Sequence, residues 1–354
     1  MERREMFIAA SELGFTSKEI LSLSEHFHLY EESKDLFYIV TEKLFSGKKQ
    51  IEKLHGDWEW ALEQFYKKAE PLDVGVLVYE DGEFPEELRL IENPPALLYY
   101  RGDLLKALSY KKMGIVGSRK HTAYGKNICE KIADDLCSLQ IVPVSGMALG
   151  LDAVAHKVAI DHQFPTIAVL GCGVNIIYPR VHSKLYLDIL KYGAVVSEYP
   201  LGTEPMNFHF PERNRIIAGL SQGLVVVEAK EKSGSLITAR LAAEQGKEVY
   251  AVPGNINSLY SKGTNGLIRD GAHPYLDIED FDVFLDVKNH GKQQSYDLQE
   301  DELKLFRLIE KGVDTANLLC VETGENIVFV NGILTILEMK GYIRNEGADR
   351  FTIC

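Results

Sequence analysis

The stretch KMGIVGSRKHTAYGKNICEKIADDLCSLQIVPVSG, residues 112–146, decides the fold of this chain. It opens with a short apolar run that ends at Gly117 and closes with a second apolar run that ends at Ser145 and Gly146. Between the two runs, apolar residues recur every three or four positions, which is the spacing of a helix that buries one face. Strand, helix and strand in this order predict a parallel βαβ unit.

The same alternation continues to about residue 277. Further apolar runs follow at 166–170, 194–197, 224–227 and 248–252, and helical patterns lie between most of them. Strands that are apolar throughout are typical of a parallel sheet covered by helices on both faces. Because crossover connections are right-handed, we predict an α/β fold with a doubly wound, Rossmann-like parallel sheet at its core.

The segments around this sheet differ in pattern. We predict a small helical N-terminal domain over 1–70, the Rossmann-like core with its leading segment over 71–285, a polar linker over 286–299 and a winged-helix-like C-terminal domain over 300–354. In the first segment, Gly14 marks a turn, and Thr16 or Ser17 is suited to cap the next helix. Residues 72–110 read as a connector that breaks at Asn93-Pro94-Pro95 and then forms a strand over 96–100.

The C-terminal segment reads as three helices and a hairpin, which is the layout of a winged helix. Its third helix, predicted over 326–339, carries Glu338 and contains neither lysine nor arginine. A helix that enters a major groove normally needs basic contacts to phosphates. We therefore favour a protein-contact or packing role for this domain over DNA sequence readout.

Composition limits the class of protein. A net charge of −13 argues against a chain that coats nucleic acid non-specifically, so any nucleic-acid site must be a local groove. Five cysteines without a C-x-x-C pair indicate reduced thiols. Neither a signal peptide nor a long apolar stretch is visible, and we expect a cytoplasmic protein without a membrane segment.

Small and polar residues follow the predicted strands at their carboxyl ends. The loops contain Gly117-Ser118-Arg119, Ser145-Gly146, Gly171-Cys172-Gly173 and Ser233-Gly234-Ser235. Ligands of open parallel sheets bind at this edge, where glycines let backbone amides approach an anion and helix N-termini favour negative charge. Four such loops on one edge predict a crevice lined for phosphate, to which Arg119 and Lys120 add positive charge.

Familiar cofactor and catalytic patterns are missing from these loops. A dinucleotide fingerprint would need glycines where the chain has Arg119 and Thr122, and no G-x-x-x-x-G-K-[ST] loop occurs. His156 follows Asp152 on a predicted helix without a third metal ligand beside it, so we expect a hydrogen-bonded structural histidine. No Ser-His-Asp or Cys-His arrangement has supporting context. We expect no cofactor, no metal and no catalytic residue: a binding protein and not an enzyme.

A second basic feature lies in NFHFPERNR, residues 207–215. Pro211 suits the first turn of a helix, which places Arg213 and Arg215 near the sheet edge. Arginines beside aromatic rings suit a single nucleic-acid strand, because the charges meet phosphates and the rings meet bases. Phe208 and Phe210 are equally compatible with a place in the core, and Arg213 with a surface ion pair. Tyr178-Pro179-Arg180 and Lys184 are a further possible edge of the same groove.

Several collinear runs over about 113–277 carry a family resemblance. They are GIVGSRKHTAYG, VSGMALGLDAVAH, AVLGCGVNIIYP, SEYPLGTEP, FHFPERNRIIAGLS, VVVEAKEKSGSLITARLAAEQGKEVYAVPGN and GTNGLIRDGA. Together with FPEELRLIENPPALLYYRGDL upstream, they resemble the DNA-processing protein A family, DprA or Smf. The termini resemble the family's helical N-terminal and winged-helix C-terminal domains only loosely.

The resemblance implies a homodimeric protein that binds and protects single-stranded DNA and helps to load the RecA recombinase during natural transformation. The family's strand-binding positions correspond to Gly117, Ser118, Arg119, Lys184, Phe210, Arg213, Asn214 and Arg215. The family usually reads Ala-Arg-Gly-Ile-Asp where this chain has Ala148-Leu149-Gly150-Leu151-Asp152, so this loop lacks one arginine.

Two other functions compete with this interpretation. The core also looks like that of phosphoribohydrolases acting on nucleoside monophosphates, but Leu241 stands where their catalytic glutamate would be, and leucine performs no acid–base step. A protein-interaction scaffold, with purely structural loops, is the third possibility. It predicts no binding to an oligonucleotide.

Overall fold

The computed structural model describes residues 1–281, 298–310, 312–347 and 350–353. The chain divides into two compact units, Met1–Val287 and Lys288–Cys354. The predicted linker over 286–299 lies outside the described residues, except for its last two positions. The four-segment division therefore stays a prediction.

One mixed sheet forms the centre of the first unit. Its strands are β1 (Gly75–Val78), β2 (Leu97–Gly102), β3 (Lys111–Val116), β4 (Ile141–Ser145), β5 (Ile167–Val169), β6 (Ala194–Ser197), β7 (Gly223–Val226), β8 (Glu248–Ala251) and β9 (His273–Pro274). They lie in the order β1-β2-β6-β5-β4-β3-β7-β8-β9. From β6 to β9 all neighbours are parallel, which confirms the predicted doubly wound, Rossmann-like core.

The leading segment is more than the predicted connector. Strand β1 pairs with β2, and β2 pairs in turn with β6, both antiparallel, so that Tyr99 of β2 lies opposite Ser197 of β6. The strand predicted over 96–100 is confirmed as β2, whereas β1 was not predicted, because its four residues are too few for a clear alternation. By pairing with β6, β2 satisfies backbone groups on an edge of the parallel sheet that would otherwise be free.

Helices cover both faces of the sheet. After the leading segment they are α7 (Glu86–Arg89), α8 (Leu104–Leu108), α9 (Ala123–Ser138), α10 (Leu151–Asp161), α11 (Ser183–Tyr192), α12 (His209–Leu220), α13 (Gly234–Glu244) and α14 (Lys262–Arg269). On one face, α9 buries Cys129 and Leu136 against Ile115 of β3. On the other face, α12 and α13 bury residues such as Ile216 and Ala239 against Leu224 of β7 and its neighbours.

The N-terminal helices pack around an aromatic cluster. They are α1 (Arg3–Glu12), α2 (Ser17–Ser24), α3 (Phe27–Glu32), α4 (Lys34–Thr41), α5 (Lys48–Leu54) and α6 (Trp58–Ala69). Trp58 is fully buried and lies within about 6 Å of several rings, such as Phe37 at 5.8 Å. Gly14 adopts a φ of 85°, and Thr16 accepts a hydrogen bond from the backbone of Glu19, which confirms the predicted turn and cap.

The same helices share apolar packing with the sheet. The Phe65 ring lies 5.7 Å from the ring of Tyr99 on β2, and both belong to one hydrophobic cluster. Residues 1–70 therefore bury part of their apolar surface against the core.

The second unit has the predicted helix order and hairpin. Its elements are α15 (Glu300–Glu310), α16 (Ala316–Thr323), α17 (Ile327–Met339), β10 (Ile343–Gly347) and β11 (Arg350–Ile353). The two strands are antiparallel, and part of their turn lies outside the described residues. Within the described ranges no single helix has the length and hydropathy to cross a membrane; α16 and α17 together, bent by 116°, meet that criterion only as a pair.

Candidate nucleic-acid interface

The sheet changes winding direction between two neighbouring strands. The chain leaves β3 toward β4 on one side and leaves β7 toward β8 on the other. Loops after two such strands diverge and leave a crevice at the carboxyl edge of the sheet. A groove of about 500 Å³ lies there, lined by residues of the loop after β3, the start of α12 and the loop into α13. We call it the switch-point groove.

The switch-point groove is cationic. Of the described side chains that line it, five are basic and only Asp152 is acidic. The basic residues are Arg119, Lys120, Arg213, Lys230 and Lys232. Asp152 is buried and lies close to Arg213, so it does little to offset the exposed cations. The predicted local concentration of positive charge in an acidic chain is therefore present in the structure.

Arg119, Phe210 and Tyr178 lie next to one another at the groove, and we call them the stacked column. Its guanidinium lies 6.0 Å from the centre of the Phe210 ring, and that ring stacks on Tyr178 at 5.5 Å with an interplanar angle of 28°. Arg119 is exposed, and no described carboxylate lies within ion-pair distance of it. A smaller hollow of about 50 Å³ lies beside this column and is lined in part by Gly146 and Gly171. The arrangement leaves one cation and aromatic surface available to a ligand.

Arg213 lies beneath the groove. Only 4% of its surface is exposed, and Nη1 donates a hydrogen bond to the carbonyl oxygen of Val169 at the end of β5. Burial lowers the pKa of Arg213 to about 10, and the nearby Asp152 carboxylate opposes that shift. No residue in the described part of the chain forms a hydrogen bond with its Nε. Arg213 is therefore not the exposed ion pair that the sequence allowed, but a buried cation that supports the groove.

The loop after β4 is closed to an anion. Asp152 accepts hydrogen bonds from the backbone N–H groups of Gly146, at 3.2 Å, and Ala148, at 3.4 Å. Ser145 is fully buried and donates to the carbonyl oxygen of Ile115. The expected phosphate cradle at Ser145-Gly146 is thus filled by the protein's own carboxylate, and only Gly146 reaches the hollow.

The two glycines after β5 have different surroundings. A side chain on Gly171 would lie 2.9 Å from the Phe210 ring, so this glycine lets the ring approach the loop closely. Gly173 donates to the carbonyl oxygen of Thr203 and packs on that turn. Gly171 therefore belongs to the hollow, while Gly173 lines neither the hollow nor the switch-point groove.

Two predicted residues lie elsewhere. Arg215 forms hydrogen bonds of 2.5 and 2.7 Å with both carboxylate oxygens of Glu198 and lines a different cavity, beside α2. Lys184 is exposed in the first turn of α11 and lines neither the groove nor the hollow. Asn214, by contrast, is half-buried and lines the groove. The structure thus brings Asn214 to the groove, but neither Arg215 nor Lys184.

The loop into α13 opens directly on the groove. Ser233 caps this helix, and its Oγ lies 2.7 Å from the Oγ of Ser235. Gly234 is exposed, and a side chain there would meet nothing within 4 Å. Lys232 is exposed beside it. This helix start is therefore both accessible and flanked by positive charge.

The start of α9 has a different environment. We expected its dipole to favour an anion at Gly117-Ser118-Arg119, but the helix begins only at Ala123. Thr122 caps it, and the carboxylate of Glu228 accepts hydrogen bonds from the backbone N–H and the hydroxyl of Thr122. The dipole prediction is corrected accordingly, because a protein carboxylate already occupies that helix end.

Comparison with known proteins decides the family. The sequence pattern described as DNA recombination-mediator protein A matches residues 75–286, more than half of the chain. The chain belongs to this family. Its curated members include the DNA processing protein DprA of Bacillus subtilis, 40% identical over 235 residues, which are 64% of this chain and 79% of that protein. The protein Smf of Escherichia coli is 45% identical over 198 residues, which are 55% of this chain and 53% of that protein.

Solved structures of family members share the fold. DNA processing protein A from Streptococcus pneumoniae matches with a TM-score of 0.69 and 32% identity, over 79% of this chain and 97% of that one. The Helicobacter pylori protein, which has a single-stranded DNA binding mode, matches with a TM-score of 0.54 and 33% identity, over 59% of this chain and 94% of that one. The chain thus spans between about half and four fifths of the curated relatives named above.

The structure also locates the residues behind the alternative functions. Leu241, at the position of the phosphoribohydrolase glutamate, is half-buried and packs on the core. His156 is fully buried, with Nδ1 2.7 Å from the hydroxyl of Thr166, which confirms a hydrogen-bonded structural histidine. Among the described residues no three His, Cys, Asp or Glu side chains are grouped to hold a metal ion.

Two cations and one carboxylate of this region were not predicted from the sequence. Lys230 and Lys232 line the groove, and the alternation Lys-Glu-Lys directly before Ser233 was the available signal. Glu228 was visible only as the residue after a strand. Nothing in the local pattern connects it with Thr122, which lies 106 positions earlier.

Proposed function

We propose that the switch-point groove binds single-stranded DNA. The observation that carries this proposal is the set of five basic residues and a single buried acid in the groove of a chain with a net charge of −13. Phosphates are attracted by local charge, and an anionic remainder limits binding elsewhere on the surface. Arg119, Lys120, Lys230 and Lys232 would contact phosphates, with Gly117, Ser118, Asn214 and the Ser233-Gly234-Ser235 turn offering polar groups.

The stacked column favours a single strand over a duplex. Phe210 and Tyr178 stack on each other, and the Arg119 guanidinium lies 6.0 Å from the centre of the Phe210 ring. Bases of a single strand can be unstacked and placed against such groups, whereas bases inside a duplex are stacked on their own neighbours. The hollow with Gly146 and Gly171 in its wall lies directly beside these three side chains and offers additional space there.

The wider role follows from the family. We infer a cytoplasmic, homodimeric binding protein without catalytic activity, cofactor or metal. It would protect single-stranded DNA and help to load the RecA recombinase during natural transformation. The family description as a recombination mediator and the single-stranded DNA binding mode of the Helicobacter pylori relative support this role.

The test is a salt series with a matched control. Fluorescence anisotropy of labelled oligo(dT) is measured for wild type, Arg119→Ala and Arg240→Ala. Arg240 is exposed on α13 and pairs only with Glu244 among the described carboxylates, outside the groove. We expect Arg119→Ala to weaken binding about tenfold or more and to reduce the slope of log affinity against log salt by about 0.7, the share of one phosphate. Equal affinities for the two variants at every salt concentration would refute the proposed site.

A further inference from the structure

Just beyond the loop that lines the switch-point groove, a carboxylate of the protein itself occupies one helix start. Helix α9 follows β3 at the switch point, where a Rossmann-like sheet commonly offers its helix N-terminus to the phosphate of a nucleotide. Here Glu228, two residues after the end of β7, reaches across to that position. One carboxylate oxygen accepts from the backbone N–H of Thr122 at 3.0 Å, and the other accepts from its hydroxyl.

The fit between Glu228 and α9 is close. The carboxyl carbon of Glu228 would lie 2.3 Å from a side chain on Gly125, so only glycine leaves room for it in the first helical turn. Glu228 is 2% exposed, and it forms no ion pair with any described lysine, arginine or histidine. The helix start and the Thr122 groups are thus its main stabilising partners, which is the environment an anion finds at such an end.

The loop between β3 and α9, whose Thr122 is held by Glu228, carries two exposed cations of the groove. Thr122 closes the segment that begins at Gly117, and Arg119 and Lys120 extend from the middle of it, both exposed. At its other side, the carbonyl of Ser118 accepts from the backbone N–H of Leu151 at 3.3 Å. The loop is therefore anchored at two points. Leu151 holds its beginning at Ser118, and Glu228 holds its end at Thr122.

We infer that Glu228 is a specificity-determining and positioning residue of the groove. Its carboxylate occupies the place of a nucleotide phosphate at the start of α9 and so excludes free mononucleotides and dinucleotides, which need that position. A polynucleotide does not need it, because its phosphates can lie along the outer cations and the open start of α13. The positioning part of this inference rests on the proposed binding of single-stranded DNA; the exclusion part does not.

The experiment opens the filled helix start. ADP binding is measured by isothermal titration calorimetry for wild type, Glu228→Ala, Glu228→Ser and Glu231→Ala. Glu231 is an exposed glutamate of the same loop, so its loss changes the net charge equally without touching Thr122. We expect both Glu228 variants to bind ADP at least about tenfold more tightly than wild type and Glu231→Ala, because the freed amide and hydroxyl of Thr122 can donate hydrogen bonds to a phosphate beside Lys120.

A second measurement follows the loop. In the oligo(dT) anisotropy assay, we expect Glu228→Ala to bind about three- to tenfold more weakly than Glu231→Ala, because Arg119 and Lys120 lose their fixed anchor. Thermal unfolding identifies any variant that does not fold. If one of the two Glu228 variants does not fold, the binding results of the other one test the inference. If folded Glu228 variants bind ADP no better than Glu231→Ala while wild type binds oligo(dT), the inference is overturned and the proposed function stands. If wild type does not bind oligo(dT), the proposed function fails, and the ADP comparison still decides the exclusion.

Discussion

The switch-point groove and the exposed face of α17 are the two surfaces on which the fold suggests DNA. The groove carries five cations and a stacked aromatic column. Helix α17 occupies the place of a recognition helix in a winged-helix layout, yet its exposed side chains include Val328, Ile336 and Met339, and it has no lysine or arginine. A helix in that topological place is not thereby a DNA reader, because phosphate contacts require cations.

The largest expected effect concerns the floor of the groove. Arg213→Ala removes the nearby positive charge that favours the buried Asp152 carboxylate, and leaving a buried charge uncompensated costs about 3–5 kcal/mol of unfolding free energy. Urea denaturation measures the loss. Arg240→Ala, which removes an exposed pair, should cost at most about 1 kcal/mol. A loss at Arg213 no larger than that at Arg240 would show that the buried Arg213 cation does not stabilise the floor of the groove.

The second expected effect is a difference between the two units in how their stability depends on pH. Burial lowers the pKa of His156 from 6.5 to about 3, so the folded state stays neutral while the unfolded state gains a proton below pH 6.5. The stability of the first unit is therefore full above about pH 6.5 and falls by about 1.4 kcal/mol per pH unit as the pH drops toward 3. The difference between wild type and His156→Gln in denaturation at pH 7 and pH 5 isolates this contribution.

The second unit supplies the contrast for that measurement. Residues 298–354 contain no histidine, so amide hydrogen exchange in α15–α17 should keep its protection between pH 7 and pH 5, after correction for intrinsic rates. A wild type whose stability changes with pH exactly as His156→Gln does would contradict the role of the buried imidazole.

The smallest expected effect compares how much the switch-point groove and the exposed face of α17 contribute to oligo(dT) affinity. Lys232→Glu places a negative charge in the groove, and we expect about a tenfold loss of oligo(dT) affinity at low salt that shrinks as salt rises. Met339→Glu adds one negative charge to the exposed end of α17 and should change the affinity by less than about twofold. Anisotropy on the full chain measures both. An equal loss in the two variants would mean that α17 contacts the strand as well.

The order of strands and loops could be predicted because it depends on local patterns. Apolar runs bounded by small residues placed β3 to β8 and their carboxyl-end loops correctly. The directions of side chains could not be predicted in the same way. Arg213 and Arg215 are two positions apart on α12, which turns them about 200° apart, so they cannot both face one groove. Which of them does so depends on packing, since Arg215 pairs with Glu198 from another element.

The sequence also could not show which helix N-termini are open to a ligand. Glycine and serine near a strand end indicate that backbone amides are available, but they do not show whether an internal carboxylate already uses them. Asp152 fills the loop after β4, and Glu228 fills the start of α9. Both contacts depend on the tertiary structure, and only the start of α13 among these ends is open as expected.

The aromatic cluster around Trp58 has a practical consequence for following these equilibria. The chain's two tryptophans, Trp58 and Trp60, both lie in α6. Intrinsic tryptophan emission therefore reports the N-terminal helices and not the groove, where the rings belong to phenylalanine and tyrosine. An oligonucleotide that raises the melting temperature seen in this emission would demonstrate cooperative unfolding of the helices with the sheet, since ligand binding stabilises only the unit that melts with its site.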